Sequence, residues 1–392
     1  MKENWEVKKL GEISKINYGY TEKSSFEEIG PRFLRITDIQ ENNVDWETVP
    51  FCKMEKDQLS KYILNEGDIV FARTGATTGK SFLVKNPPLA VFASYLIRLK
   101  ILDLDKLAPE FLFLFFQTKT YWDKIETGLS GSAQGGFNAT KLADISIPLP
   151  SLREQQLIVS ILDETFAAID KAKENAERNL QNARELFDSY LKSVFANTGN
   201  GWERKKLGKI SVVNMGQSPK GSSYNTTGDG VPLINGPVEF GGDDPFSKTL
   251  KTKFTTEPTK MCKQGDLVLC VRGSTTGRMN IAGFDSCIGR GVASISSAEY
   301  QDWINQYINF NRDTIYKLGT GATFPNVSSS TLSNLLIPIP PKEQQRSIIA
   351  KLDALSSETK RLEAIYQQKL AALDELKKSV LQKAFNGELT GA

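Results

Sequence analysis

The chain has 392 residues, of which 24% are charged and 40% hydrophobic, and it carries a formal net charge of +3 and no histidine. This composition is typical of a globular protein of one to three domains, and the sequence has no apolar run long enough to span a membrane. Because histidine is absent, the sequence excludes Ser-His-Asp and Cys-His catalysis, histidine general bases and histidine-ligated metals.

The four cysteines are dispersed along the sequence, at Cys52, Cys262, Cys270 and Cys287. None belongs to a C-x-x-C pair, so the sequence predicts neither a zinc site nor a thioredoxin-like redox site. The polar N-terminal residues show no secretory signal pattern. We therefore expect a reduced, cytoplasmic protein that does not associate with membranes.

Residues 1–150 mix short apolar runs with glycine, proline and threonine, which is typical of strands separated by turns. A strand is predicted over residues 68–72. A helix is predicted over residues 109–116, where Pro109 suits the first helical turn. These residues are expected to form the first of two α/β domains.

A long helix is predicted within residues 151–198, where glycine and proline nearly vanish. Apolar residues recur there every three or four positions between Ile158 and Phe195, as in a coiled-coil stripe. Those 38 residues would extend roughly 57 Å as one helix. A lone helix of this length requires a partner for its apolar stripe.

The sequence then repeats itself. WEVKKLGEI from Trp5 returns as WERKKLGKI from Trp202, GDIV from Gly67 as GDLV from Gly265, and IPLP from Ile147 as IPIP from Ile337. A second α/β domain is therefore expected over residues 199–340, with a strand over 267–271 and a helix near 302–308. A second long helix is expected over residues 341–392.

The two long helices are the natural partners of each other, so we predict an α+β fold whose helices pack as an antiparallel coiled coil. Lys173 and Lys369 interrupt the stripes and can fix the register. The residues predicted to pack the helix pair or its partners are Leu162, Phe166, Leu180, Phe187, Leu352, Leu355, Leu362, Leu373 and Leu376.

Two motifs resemble enzyme sites but do not fit them. The segment RTGATTGKS from Arg73 has three residues between its glycines where a nucleotide-binding P-loop has four, and a strand-like segment follows it. A tight hairpin, or a loop presenting N–H groups and a cation to a DNA phosphate, fits better. The segment NPPL from Asn86 lacks the aromatic residue with which amino-methyltransferases stack a flipped base.

Basic, amide and aromatic residues within the two mixed domains are candidates for DNA contacts, because arginine can bind guanine and asparagine can bind adenine in the major groove. For any single residue, a solvated surface position is an equally good interpretation. The candidates are Arg35, Thr37, Arg73, Lys80, Tyr95, Arg98, Lys220, Asn235, Arg272, Arg278 and Arg290. No catalytic or metal-binding residue is predicted.

The order of these motifs resembles the specificity subunits of type I restriction–modification systems. The resemblance rests on W-x-x-K-K-L-G-x-I, G-D-[IL]-V and I-P-[LI]-P, on the helix starts Glu154-Gln-Gln and Glu343-Gln-Gln, and on the C-terminal KAFNGELT from Lys383. It covers the whole chain twice. The two Glu-Gln-Gln segments, however, differ by one place relative to the I-P-x-P register.

The resemblance implies a non-catalytic subunit that recognises double-stranded DNA. Each mixed domain would bind one half of an asymmetric bipartite target, and the helix pair would set the spacing of the half-sites. Two methyltransferase subunits, which hold S-adenosylmethionine, would dock on the helices, and a motor-nuclease restriction subunit would join them. This chain itself would hold no cofactor. Because residues 20–60 and 217–262 match poorly between the copies, we expect two different half-site sequences.

Two alternatives remain open from the residues alone. A duplicated protein–protein interaction scaffold on a coiled coil, without DNA specificity, would show a similar sequence pattern. An enzyme, either a methyltransferase or an ATPase, is the third hypothesis, and its test is saturable binding of a methyl donor or of ATP to this chain alone.

Overall fold

The computed structural model describes residues 5–40, 42–130, 137–320 and 325–390. The chain divides into two compact units. Unit 1 comprises Met1–Arg178 and Tyr366–Ala392, and unit 2 comprises Asn179–Ile365. Each unit therefore contains one mixed domain together with part of each long helix.

The mixed domain of unit 1 has twelve strands among its described residues. They are β1 (Glu6–Lys9), β2 (Ser14–Tyr18), β3 (Ser24–Ser25), β4 (Arg32–Leu34), β5 (Ile39–Gln40), β6 (Asn43–Val44), β7 (Phe51–Cys52), β8 (Ile69–Ala72), β9 (Ser81–Leu83), β10 (Ala90–Phe92), β11 (Leu96–Ile101) and β12 (Ser146–Leu149). The helices are α1 (Leu10–Ile13), α2 (Lys56–Tyr62), α3 (Pro109–Phe115), α4 (Lys119–Ser130) and α5 (Ala139–Ala143), after which the long α6 (Leu152–Ala196) begins.

Two four-stranded sheets organise this domain. One is antiparallel with the order β2-β11-β8-β9, and its apolar residues form a core with α3, α4 and the start of α6. The other has the order β10-β4-β7-β3 and pairs β10 with β4 in parallel. The predicted strand and helix are confirmed as β8 and α3.

Unit 2 repeats this plan. Its strands are β13 (Glu203–Lys206), β14 (Val212–Met215), β15 (Tyr224–Asn225), β16 (Val231–Ile234), β17 (Phe254–Thr255), β18 (Met261–Cys262), β19 (Leu267–Cys270), β20 (Met279–Ile281), β21 (Ser286–Ile288), β22 (Val292–Ser296) and β23 (Leu336–Ile339). Its helices are α7 (Leu207–Ile210), α8 (Gln301–Phe310), α9 (Arg312–Leu318) and α10 (Ser329–Ser333), and the long α11 (Lys342–Asn386) begins here. The order β14-β22-β19-β20 matches the antiparallel sheet of unit 1, and β16 pairs with β21 in parallel.

The repeated sequence motifs meet where each domain joins its helix. In unit 1 the first strand β1 pairs antiparallel with β12, directly before α6. The side chain of Gln155 is buried there, accepts from the N–H of Ala108 at 2.9 Å and donates to the carbonyls of Lys106 and Pro150, both at 2.8 Å. The indole of Trp5 donates to Glu154 at 3.2 Å.

Unit 2 builds the same junction. Strand β13 pairs with β23, the buried Gln345 donates to the carbonyl of Pro340 at 2.7 Å, and the Trp202 indole donates to Gln344 at 3.2 Å. Gln155 and Gln345 are thus equivalent residues, five places after the last proline of each I-P-x-P motif. This equivalence accounts for the one-place difference between the two Glu-Gln-Gln segments.

Each mixed domain also holds the end of the other copy's helix. In unit 1, Phe385 near the end of α11 packs on Phe111 and Phe115, with ring centroids 4.9 and 5.7 Å apart. In unit 2, Phe195 at the end of α6 packs on Trp303 and Tyr307, both at 5.2 Å.

The two long helices pack as an antiparallel coiled coil. In unit 1, Asp170 pairs with Lys377 and Lys173 pairs with Asp374. The residue numbers rise by three along α6 and fall by three along α11, as they do in an antiparallel pair. In unit 2, Arg184 of α6 pairs with Glu363 of α11 at 2.6 Å. These ion pairs are partly exposed, so they contribute little to the stability of the helix pair.

Most residues predicted to pack the helix pair lie on its inward side. Leu162 and Leu352 are fully buried, and Phe166, Leu180, Phe187, Leu355, Leu362 and Leu373 are half-buried. The structure corrects one of them: Leu376 is 46% exposed. Lys377 lies inward in its place, with its ammonium 4.9 Å from the ring of Phe166. Lys369 is likewise exposed, whereas Lys173 is half-buried in its ion pair.

Among the described residues, no helix combines the length and the apolar character that crossing a membrane requires. The four cysteines are all free and buried. Burial raises the pKa of the Cys52 and Cys262 thiols to about 11 and that of Cys270 to about 12.

We therefore expect the folded protein to resist thiol reagents, because all four thiols are buried and a buried structural cysteine is inert. Titration with Ellman's reagent at pH 8 should label almost no thiol in the native protein and four after denaturation in guanidinium. Rapid labelling of one thiol in the native protein would contradict this arrangement.

The inward side of α11 yields a second prediction. Leu381→Ala should cost about 2–5 kcal/mol, because Leu381 is 6% exposed in the core of unit 1. The control Leu376→Ala, on the same helix and in the same unit, should cost less than about 0.5 kcal/mol. Urea unfolding monitored by circular dichroism measures both free energies of unfolding. Equal losses of stability would show that both leucines are packed in the core.

Candidate nucleic-acid interface

A short 3₁₀ turn, Ile36–Asp38, follows β4 in the first domain and begins at Arg35. The carboxylate of Asp38 is almost buried and accepts from the Arg35 backbone N–H at 2.8 Å. It also accepts from Nε of Arg35 at 3.0 Å and from Nη2 at 2.6 Å. Both oxygens of the Asp38 carboxylate therefore accept hydrogen bonds from Arg35, which holds the turn and the guanidinium in one arrangement.

The second domain has an equivalent turn, Pro237–Glu239, after β16. The buried carboxylate of Glu239 accepts from the backbone N–H groups of Asn235 at 3.0 Å and Gly236 at 3.1 Å. Asn235 occupies the place of Arg35 when counted from the strands, because each follows directly after β16 or β4. The second turn begins one residue later, at Gly236. In both domains a buried carboxylate fixes the backbone that carries the candidate DNA-contacting residue.

A second loop lies beside each turn. The N–H of Ala93 donates to the carbonyl of Leu34 at 2.9 Å in the first domain, and the N–H of Gly289 donates to that of Ile234 at 2.8 Å in the second. The next residues in the two loops are Ser94 and Arg290. Arg290 is exposed, and its backbone N–H donates to the hydroxyl of Ser218 at 3.2 Å.

In the first domain the turn and the loop enclose an open cleft of about 410 Å³. The structure brings three sequence-predicted residues together there: Arg35, Thr37 and Tyr95. Tyr95 is 62% exposed, and Glu22 adds one carboxylate to the lining. A cleft with an arginine, a hydroxyl and an exposed aromatic ring offers the groups that contact base edges and phosphates.

Sequence reasoning missed Val238, which is 80% exposed. Val238 and Thr37 are the middle residues of the two equivalent turns. An exposed valine next to Asn235 has no packing role, and an apolar side chain in this position can contact the methyl group of thymine. The sequence held no signal for it, because a valine is expected in the core.

The two glycine-rich segments form tight hairpin loops. The N–H of Gly79 donates to the carbonyl of Ala72 at 2.8 Å, and that of Gly277 to Cys270 at 2.9 Å. Strands β9 and β20 follow directly, so neither loop opens a helix as a P-loop does. Lys80 is exposed at the end of the first hairpin, whereas Arg278 pairs with Asp243 at 2.6 Å.

The remaining candidates are more dispersed. The guanidinium of Arg73 lies 4.9 Å from the ring of Tyr18, and its backbone N–H donates to the carbonyl of Tyr95 at 3.2 Å, which places Arg73 next to the cleft. Arg272 is exposed, and its backbone forms an isolated antiparallel β-bridge with Asn326. The residue equivalent to Arg73 is its neighbour, the buried Val271. Lys220 is exposed, 3.6 Å from Glu257.

Arg98 is a correction to the predicted DNA contacts. It is only 6% exposed and donates to the carbonyls of Ile63 at 2.6 Å and Lys61 at 3.1 Å. It also faces Asp68 at 3.7 Å, and burial lowers the pKa of Arg98 and raises that of Asp68. Arg98 thus binds the interior of its domain and cannot reach DNA.

The described part of the chain contains no group of three or more cysteine, aspartate or glutamate residues that could hold a metal ion.

Comparison with known proteins identifies the family. The sequence profile described as "Type I restriction modification DNA specificity domain" matches residues 2–178 and again residues 199–371. The chain belongs to this family.

Individual proteins agree with this identification. A Methanocaldococcus jannaschii protein assigned as the MjaX type I restriction enzyme specificity subunit is 29% identical over 99% of this chain and 94% of its own length. The HsdS subunit from Thermoanaerobacter tengcongensis superposes with a TM-score of 0.69 at 24% identity, covering 99% of this chain and 98% of its own. A chain solved in a study of complex assembly in a type I restriction–modification system reaches 0.83 at 23% identity, covering 99% of both chains.

The protein is therefore a specificity subunit, the non-catalytic DNA-recognition component of a type I restriction–modification system, and its two mixed domains are target-recognition domains. Its partners are DNA and the modification and restriction subunits of such a system. Family membership supports this function over the scaffold alternative. The individual DNA contacts remain predictions.

The contrast between Arg98 and Arg35 is testable. Arg98→Ala should cost about 3–5 kcal/mol, because it leaves Asp68 buried without its counter-ion. Arg35→Ala should cost less, about 1–2 kcal/mol, because Asp38 keeps its bond from the backbone N–H of residue 35. Thermal unfolding followed by circular dichroism measures both; a larger loss for Arg35→Ala would show that the turn, and not the buried pair, stabilises this domain.

Proposed function

We propose that each target-recognition domain binds one half of a bipartite DNA target through the turn and loop described above. The observation that carries this proposal is the equivalence of the turns at Arg35 and Asn235. A turn held by a buried carboxylate presents arginine and threonine in one domain, and a similar turn, longer by one residue, presents asparagine and valine in the other. Two such surfaces would recognise different half-site sequences, because arginine and asparagine favour different bases.

The helix pair is proposed to set the distance between the half-sites. Each domain is attached to the start of one long helix and to the end of the other, through Gln155 and Phe385 in unit 1 and through Gln345 and Phe195 in unit 2. Such attachment favours a fixed spacer length over a variable one, since neither domain is joined to the helices by a single flexible linker.

We also propose that two methyltransferase subunits dock on the helices. Leu186 and Leu376 hold the same place in the two copies of the long helix, counted from the I-P-x-P motifs, and both are exposed, by 58% and 46%. Two equivalent exposed leucines fit two copies of one partner. The partner subunits would hold S-adenosylmethionine, this chain would hold no cofactor, and the complex would act in the cytoplasm.

The DNA function is tested with the specificity subunit co-purified with its methyltransferase subunits. Selection from random duplexes should yield one bipartite sequence with unlike halves, and inserting one base pair into the spacer should weaken binding. For six to ten phosphate contacts, the affinity should fall about 10³- to 10⁵-fold between roughly 50 and 200 mM salt. Salt-insensitive binding without sequence selection would support the scaffold alternative instead.

The docking proposal has its own experiment. Leu186→Asp combined with Leu376→Asp should abolish co-purification of the methyltransferase subunits, because a charge opposes burial at a protein interface, and the circular dichroism spectrum should not change. Each single variant should retain partial binding. Full binding by the double variant would show that the methyltransferase subunits dock on another surface.

A further inference from the structure

The side chains of the two turns offer hydrogen-bonding groups that can distinguish one base from another. At Arg35, the bond to Asp38 uses Nε and Nη2, which form one edge of the guanidinium. Nη1 lies 3.4 Å from the Ser24 hydroxyl, a weak contact at the limit of hydrogen bonding. The edge formed by Nη1 and the second N–H of Nη2 is therefore available, and its spacing suits the O6 and N7 acceptors of guanine.

The carboxylate also determines how Arg35 meets a base. A free arginine loses side-chain entropy when it binds. Here the guanidinium is already oriented by a carboxylate that is only 8% exposed and is itself held by the Arg35 backbone N–H. Such an arrangement favours recognition of one base over diffuse attraction to phosphate, because a planar, oriented fork is selective in direction.

Asn235 is placed differently. Glu239 bonds to the backbone of the turn, and among the described residues no hydrogen bond involves the amide side chain of Asn235. That amide lies directly over Gly289, where a Cβ atom would come within 1.7 Å of Oδ1. The equivalent residue in the first domain is Ala93. The glycine thus provides the space in which the Asn235 amide rests.

An unpaired asparagine amide can bind adenine through N6 and N7. The neighbouring Val238 is exposed and could contact the methyl group of an adjacent thymine. Both preferences point to an A·T-rich step in the half-site of the second domain, whereas the first domain offers a fork for guanine.

We infer that residues 35 and 235 are equivalent specificity-determining positions, with Arg35, oriented by Asp38, binding guanine in one half-site and Asn235, accommodated by Gly289, binding adenine in the other. This inference rests on the proposed function. It adds the base class that each domain recognises and the residue that recognises it.

The test uses the complex of the specificity subunit with its methyltransferase subunits and the duplex selected above. Replacing each guanine of one half-site in turn by 7-deazaguanine removes the N7 acceptor without changing base pairing. One such replacement should weaken binding roughly 5- to 150-fold, the range expected for a bidentate contact. In the other half-site, one 7-deazaadenine should have the same effect.

Protein variants assign the contacts. Arg35→Met removes every donor of the guanidinium and keeps the apolar stem, so it should abolish the sensitivity to 7-deazaguanine and leave the other half-site unchanged. Asn235→Asp should do the same for 7-deazaadenine. Gly289→Ala should weaken the adenine preference by displacing the Asn235 side chain, while Asn235 itself is retained.

The outcomes are distinguishable. If the unmodified complex selects no sequence, the proposed function fails. If it selects a sequence but Arg35→Met retains full sensitivity to 7-deazaguanine, the inference is wrong because another residue binds that guanine. If Arg35→Met weakens all duplexes equally, the inference is wrong and Arg35 contacts phosphate. A half-site without a sensitive guanine also overturns it. Because the modified duplexes test the unaltered protein, this result holds even where a variant fails to fold.

Discussion

The architecture depends on how each recognition domain is joined to the helices. A domain must present its loops in a fixed direction, and a strand pair together with a buried glutamine provides this at the start of each long helix. Gln155 satisfies backbone groups of three different residues, so its removal would leave buried donors and acceptors without partners. The phenylalanines at the helix ends add apolar packing against each domain.

This constraint explains why the repeated motifs are where they are. The tryptophan, the I-P-x-P strand and the glutamine are far apart in sequence, yet they meet at one junction in each unit. The recognition turns carry none of these residues. The backbone at positions 35 and 235 is held by the carboxylates of Asp38 and Glu239, separately from the junction.

The fold class could be predicted from the sequence because it follows from duplication and from periodicity. Apolar spacing identified both long helices and placed eight of nine named residues correctly on the inward side, although it left out the buried Leu191 and Leu381. The prediction was wrong at Leu376 because positions 376 and 377 both fit a spacing of three or four residues after Leu373, and the apolar residue of the two is Leu376. In the structure position 377 faces inward, and Lys377 lies along the ring of Phe166 and pairs with Asp170.

The candidate site was predictable only in part. Residue type indicated Arg35 and Asn235, but type alone could not separate them from Arg98, because burial depends on strand register. Arg98 lies in β11 opposite Val70 and beside Asp68. Val238 gave no signal at all, since its exposure follows from the turn that Glu239 holds.

The modest net charge of the chain also has a physical consequence. Arg35, Arg98 and Arg278 each lie against a carboxylate, so a basic residue in this sequence is often matched nearby by an acidic one. Such pairing weakens general attraction to phosphate, which depends on uncompensated charge. It strengthens discrimination, because a paired guanidinium keeps its direction and binds well only where acceptors are correctly placed. For a protein whose role is to distinguish one target among many competing sites, low non-specific affinity is an advantage, since the ratio of specific to non-specific binding determines where it resides.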